Sequence, residues 1–182
     1  MDEYYGFRLN VKRLNEENRK YVTGFKCGNT FIDNFLKNDE AINDSFGKTY
    51  IWLEDDGKSI IGFYNIGVGS IDYIDGDVRY KMGGAIHINE FAIQQKYQRY
   101  SVSENPRINV SDLLLNDCMK RIKTIREYHL GFTFVTLQST EEGYNLYRRH
   151  NFEEVDEDMR LSNVQGAEWD CKPMYLALDI EL

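Results

Sequence analysis

A mixed α/β fold, with a mostly antiparallel central sheet flanked by helices, follows from three features of the sequence. Two β-rich runs meet at an Asp-Gly turn in the first half, two amphipathic helical stretches lie in the second, and a strand-like segment precedes each of those helices. Strand-to-helix-to-strand passages behind an antiparallel first half place helices over the faces of a mixed sheet.

The elements follow in order. Phe7 to Leu14 alternates apolar and polar residues and reads as a first strand. Phe31, Ile32, Phe35, Leu36, Ala41 and Ile42 recur at helical spacing behind Cys27-Gly28-Asn29, with Asn29 or Thr30 as cap. Thr49 to Leu53 and Ser59 to Ile66 are strands joined through Asp56-Gly57, and the second runs on to about Tyr73. A polar excursion through Asp75-Gly76-Asp77 leads to a strand that ends at Ile93. An amphipathic helix covers about Ser111 to Arg126, with Ser111 or Asp112 as cap. Phe132 to Leu137 is β-branched and aromatic, Glu141 to His150 is a short helix, and Pro173 to Asp179 closes the chain as a strand.

The length of 182 residues suits one domain, 1–182, and 42% hydrophobic with 29% charged residues is ordinary globular composition. A net charge of -8 argues against a nucleic-acid partner, because phosphate binding draws on clustered Lys and Arg, and it favours a cationic one. Cys27, Cys118 and Cys171 are widely spaced, with His87, His129 and His150 as their only companions, so neither a disulfide framework nor a zinc site is expected and no metal is assigned. Cys118 falls on the apolar face of its helix, as a small core residue. The start Met1-Asp-Glu-Tyr-Tyr5 is acidic and no run approaches the ~20 apolar residues of a membrane span, so a cytoplasmic protein without membrane contact is expected.

Two segments carry the chemistry. Ala85-Ile-His87-Ile-Asn-Glu90-Phe91-Ala92-Ile93 feeds the helix beginning near Ser111, and Leu146-Tyr147-Arg-Arg-His-Asn151-Phe152 follows at the end of the next helix. In this order they resemble the acyl-CoA strand and helix, then the tyrosine-bearing helix end, of the GCN5-related N-acetyltransferases (GNAT). The resemblance covers nearly the whole chain. It implies transfer of an acetyl group from acetyl-CoA, as cosubstrate, directly to a primary amine.

Each step of that reaction implies residues. In the resembled family, backbone amides near a strand bulge polarise the thioester carbonyl, which here points to Phe91, Ala92 and Ile93. Tyr147 matches the tyrosine that protonates the leaving thiolate, with Tyr144 one turn earlier as the alternative. Asn151 replaces the usual glycine, and asparagine tolerates a left-handed helix end. The amine proton falls to His87, whose imidazole has an ordinary pKa near ~6.5, or to Glu90. The family's asparagine before this last helix is replaced by Ser139-Thr140.

The phosphate loop departs from the family pattern. Tyr97-Gln98-Arg99 continues through Tyr100 to Val110 without a glycine, and the segment is longer than the pattern. Either Gln98, Arg99, Arg107 and Ser111 hold the pyrophosphate with side chains, or the site has decayed and the fold serves binding alone.

Phe25-Lys-Cys27-Gly28-Asn-Thr-Phe-Ile-Asp33, Tyr50-Ile-Trp52 and Ile61-Gly62-Phe-Tyr64 resemble a narrower subgroup, some of whose members are toxins that acetylate aminoacyl-tRNA. Three readings therefore stand: an acetyltransferase acting on a small-molecule or peptide amine, a non-catalytic binding protein, and a tRNA-acetylating toxin. Relatives of this family often form homodimers, and a homodimer is compatible with each.

Overall fold

The computed structural model describes residues 3–4, 7–162 and 170–178. These fall in two compact units, one within residues 1–65 and 90–121, the other within 66–89 and 122–182.

The first unit opens with a small antiparallel pair, β1 (Glu3–Tyr4) and β2 (Phe7–Arg8), followed by β3 (Asn10–Arg13). The expected strand 7–14 is thus interrupted at Leu9, and Leu14 turns off it into the core. Helix α1 (Thr30–Lys37) starts where Asn29 accepts the Phe31 and Ile32 N–H groups, as its cap position predicts. It stops short of the expected Ile42, because the extended backbone of Asn38 (φ -87°, ψ 168°) breaks the helical hydrogen bonding. A 3-10 turn, Asp39–Ile42, then keeps Ala41 buried.

Strand β4 (Lys48–Leu53) pairs antiparallel with β3, from Asn10↔Leu53 to Arg13↔Tyr50. Two strands of 16 residues follow, β5 (Ile60–Asp75) and β6 (Val78–Ile93), and both contribute to the two units. Their connection, Gly76-Asp77, is too short for anything but an antiparallel hairpin. Beyond β6 come a 3-10 turn (Gln95–Tyr97), a hairpin of β7 (Ser101–Glu104) and β8 (Arg107–Asn109), and helix α2 (Val110–Tyr128). The core gathers Phe25, Leu36, Ile51 and Phe63, with the Phe25 and Phe63 rings edge-on at 5.3 Å. Each such buried side chain contributes roughly 1.5–3 kcal/mol.

Helix α2 buries Val110, Leu114, Cys118 and Ile122, each 0% exposed, so Cys118 sits on the core stripe its spacing predicted. Its polar flank is tied to the sheet. The Tyr64 hydroxyl donates to Asp117 at 2.7 Å and accepts from Arg121 Nε at 2.7 Å, and the Arg121 guanidinium lies 4.0 Å from the Tyr50 ring centre.

The second unit is built on the distal parts of β5 and β6 with β9 (Phe134–Ser139), α3 (Glu141–Arg149), β10 (Glu153–Glu154), β11 (Met159–Ser162) and β12 (Lys172–Ala177). Strand β6 pairs parallel with β9 from Ala85↔Phe134 to Ile88↔Leu137, and β12 pairs antiparallel with β9. Strands β10 and β11 are antiparallel to β12 and β5. They are too short to show a period in the sequence. Ile71, Ala85 and Phe134 form one cluster of its core, with Met159, Leu161 and Tyr175 packed on it. The expected last strand is present, although its end at Asp179 lies outside the described residues. The sheet is mixed and mostly antiparallel, with helices flanking it, as expected. Among the described residues no helix is long and apolar enough to cross a membrane.

Candidate active site

In the first unit, the end of β6 is held against β5 by a close approach that only glycine permits. A Cβ on Gly62 would stand 2.7 Å from the Ala92 carbonyl oxygen and 2.8 Å from both Ile93 Cδ1 and Leu114 Cδ2. Ala92 and Ile93 are buried there, whereas Glu90 and Phe91 are half-buried. The Gln94 N–H then donates to Ile61 at 2.7 Å and finishes the strand.

The segment after β6 is stitched to residues 24–27. Gln94 Oε1 accepts the Lys26 N–H at 2.7 Å, the Gln95 N–H donates to the Lys26 carbonyl at 2.8 Å, and Gln98 Nε2 donates to the carbonyls of Cys27 (2.5 Å) and Ile93 (3.1 Å). Gln98, expected at the pyrophosphate, therefore commits both amide protons to bracing the loop and keeps only an acceptor oxygen. The opposite side is equally fixed: Asp33 accepts the Cys27 N–H at 2.8 Å while Asn29 caps α1. This is the structural use of the Cys-Gly-Asn run. Burial pushes the Cys27 thiol up to about 12, so it remains protonated at neutral pH.

The long glycine-free loop is a side excursion. Residues 101–109 form the hairpin β7–β8, and the Val110 N–H donates to the Tyr100 carbonyl at 3.1 Å across its base. Tyr100 thus abuts the first residue of α2 as though the hairpin were absent. Arg99 (φ 61°) and Arg107 are exposed on this loop. The alternation around Asn105-Pro106 was the available signal for a hairpin, and sequence reasoning missed it.

The helix start also differs from expectation. Helix α2 begins at Val110, so Ser111 lies within its first turn, and Asp112 reaches back to accept the Asn109 N–H at 2.8 Å. Asp112 acts as the third-residue partner of a capping box and is not the cap itself. Among the described residues, buried Asn109 Oδ1 has no hydrogen-bond partner.

The second unit holds His87 and Tyr147. Tyr147 is buried on α3, edge-on to Phe152 with ring centres 5.7 Å apart. A Cβ on Gly143 would meet its Cε2 at 3.2 Å, so a bare backbone one turn earlier lets the ring lie close. The helix end is as expected: Asn151 adopts φ 65°, and the Phe152 N–H returns to the Tyr147 carbonyl at 3.1 Å. Tyr144 instead donates outward to Glu154 at 2.6 Å, with Lys172 Nζ 4.6 Å from its ring centre. Thr140, in place of the family's asparagine region, caps α3 by accepting the Gly143 N–H.

His87 is 3% exposed, and its Nδ1 is 2.8 Å from Thr136 Oγ1. Burial pushes its pKa down to about 4, so the ring is neutral at pH 7 and enclosed. It is well placed to pack and poorly placed to hold a proton taken from an ammonium group.

The architecture is that of the GCN5-related N-acetyltransferases. No family model matches the chain. It is 29% identical over 153 residues to a probable toxin TacT of Sinorhizobium fredii, covering 76% of this chain and 81% of that protein. Among solved structures it resembles a mutant AtaT toxin bound to the C-terminus of the antitoxin AtaR and acetyl-CoA, with a TM-score of 0.66, 12% identity and 92% of each chain covered. It also resembles an acetyltransferase of the GNAT family from Staphylococcus aureus, with a TM-score of 0.55 and 13% identity over 93% of this chain and 99% of that one.

Proposed function

We propose that this protein is an acetyl-CoA-dependent N-acetyltransferase whose acceptor is the α-amino group of an aminoacyl-tRNA. The observation that carries the enzyme reading is the hydrogen bond from Val110 to Tyr100, which keeps strand, loop and helix start adjacent despite the inserted hairpin. The likeness to toxins supports the acceptor. The same likeness makes an antitoxin protein the expected partner.

Acid-base chemistry favours this acceptor over a lysine-type amine. Deprotonating an α-amino group of pKa ~8 at pH 7 costs about 1.4 kcal/mol, against about 4.6 kcal/mol for a lysine at ~10.4. With His87 neutral and enclosed, Glu90 becomes the proton acceptor, and a carboxylate serves an amine that is already partly neutral.

Acetyl-CoA, when bound, supplies the activated acyl group and a thiolate leaving group. Arg99 and Arg107, both exposed, bring positive charge to the pyrophosphate. The first turn of α2 at Ser111 adds a backbone donor with the favourable field of a helix start. The resemblance to the acetyltransferases gives the backbone of Phe91, Ala92 and Ile93 the role of receiving the acyl carbonyl, and the Tyr147 hydroxyl that of protonating the sulfur.

Calorimetric titration with acetyl-CoA, followed by transfer of labelled acetyl to charged tRNA, uncharged tRNA, a polyamine and a lysine peptide, tests both parts. Micromolar binding and label on charged tRNA alone are expected. Label on the polyamine or peptide alone overturns the acceptor, and absence of acetyl-CoA binding overturns the enzyme reading in favour of a non-catalytic binding protein.

A further inference from the structure

A basic cleft in the first unit takes no part in the chemistry above. It encloses about 620 Å³ between β3 and the 3-10 turn Arg19–Gly24, and its charged lining is Lys12, Arg13 and Lys20 against the single carboxylate of Glu17. That is a local excess of positive charge in a chain whose net charge is -8. Whole-chain charge is an average, and it does not describe this surface.

Arg13 shares its guanidinium with Asp44 at 2.6 Å, which leaves the two lysines as the strongest positive groups. Both are exposed, and among the described residues neither is in an ion pair with a carboxylate. Lys20 Nζ stands 5.2 Å from the centre of the Tyr21 ring, which also lines the cleft. The wall between the lysines is rigid. Asn15 and Asn18 each accept the other's backbone N–H, at 3.1 and 2.9 Å, and Asn18 Nδ2 donates to the Arg13 carbonyl at 2.9 Å.

Strand β3 is at the end of the sheet order, and lysine on an edge strand discourages pairing with other chains. That role accounts for Lys12. It does not account for Lys20, which comes from another element, or for the braced turn that carries it to the same cleft.

We infer that this cleft binds the phosphodiester backbone of RNA, with Lys12 and Lys20 each neutralising one phosphate and Tyr21 offering an aromatic edge. The choice of RNA among phosphate polymers rests on the aminoacyl-tRNA reading; the cleft itself does not.

The test is binding of labelled, uncharged tRNA to the whole protein and to a Lys12→Ala/Lys20→Ala variant at about 50 and about 200 mM salt. Loss of two phosphate contacts lowers the slope of log affinity against log salt by ~1.4 to 1.8, so the fourfold rise in salt weakens the variant about seven to twelve times less than the wild type. Acetyl-CoA affinity and melting temperature, read on the same samples, stay unchanged if the variant is folded. An unchanged salt slope and tRNA affinity overturns the inference. Equal loss for a duplex DNA probe overturns the assignment to RNA. A reduced slope in a protein that binds no acetyl-CoA supports the cleft while removing the enzyme reading.

Discussion

Acidification probes the burial of His87. Its pKa is about 4 in the folded chain, against an ordinary 6.5, because burial disfavours the charged ring. Between those values the unfolded chain binds the proton and the folded chain does not, so stability rises with pH across this window. The contribution is fully present above about pH 6.5 and is lost as pH falls toward 4. With these two values, linkage gives a loss of about 2 kcal/mol between pH 7.5 and 5, growing to about 3 kcal/mol at pH 4. At a urea dependence of about 2 kcal/mol per molar, the drop to pH 5 moves the unfolding midpoint by about 1 M. The carboxylates of Asp44, Asp56 and Glu154, each held below the usual range by hydrogen bonds from neighbouring groups, also lose stabilisation on acidification. The measurement is therefore a difference: urea midpoints at pH 7.5 and 5 for the wild type and for His87→Asn, which keeps a polar partner for Thr136. The midpoint of the variant falls by about 1 M less than that of the wild type. Equal falls for the two proteins refute the argument, and would return His87 to the list of groups that exchange protons near neutrality.

Gly62→Ala places a methyl group within 2.8 Å of the Ala92 carbonyl and Leu114, so thermal unfolding should show a loss of about 1–3 kcal/mol, and calorimetry a weaker affinity for acetyl-CoA as β6 shifts from α2. Tyr147→Phe keeps the packing against Phe152 but removes the phenol; transfer assays should find a rate lower by roughly 10²–10⁴ with acetyl-CoA affinity retained, and a rate near wild type would exclude Tyr147 as the acid. Asn151→Ala forces an ordinary side chain into φ 65° and should cost about 1 kcal/mol in denaturant unfolding, whereas Asn151→Gly should be neutral or mildly stabilising.

Features governed by near neighbours were legible in the sequence. Asn29 caps α1 because its side chain needs only the next two or three N–H groups. Asp56-Gly57 closes the turn into β5 with Asp56 accepting from Lys58 and Ser59, and Gly57 at φ 66°. Asn151 takes the left-handed helix end, and the spacing of Cys118 places it on the buried stripe of α2. In each case the partners lie within a turn or two along the chain, so residue type and spacing carry the information. The order of strands and helices adds to this, since it limits which mixed sheet can form.

The site depended on partners distant in sequence. Gln98 looked like a phosphate ligand, yet its amide meets the Cys27 carbonyl, 71 residues away. His87 looked like a base, and its burial against Thr136, 49 residues away, sets its pKa instead. The glycine-free loop looked too long for the family pattern until Val110 was found bonded to Tyr100 across the hairpin base. The sequence by itself thus determined the caps, turns, core stripe and class of sheet, because those rest on local torsion and periodicity. Tertiary structure alone decided which polar groups are occupied, which ring is dry and which insertion can be set aside, because hydrogen-bond commitment and desolvation arise only when distant segments meet.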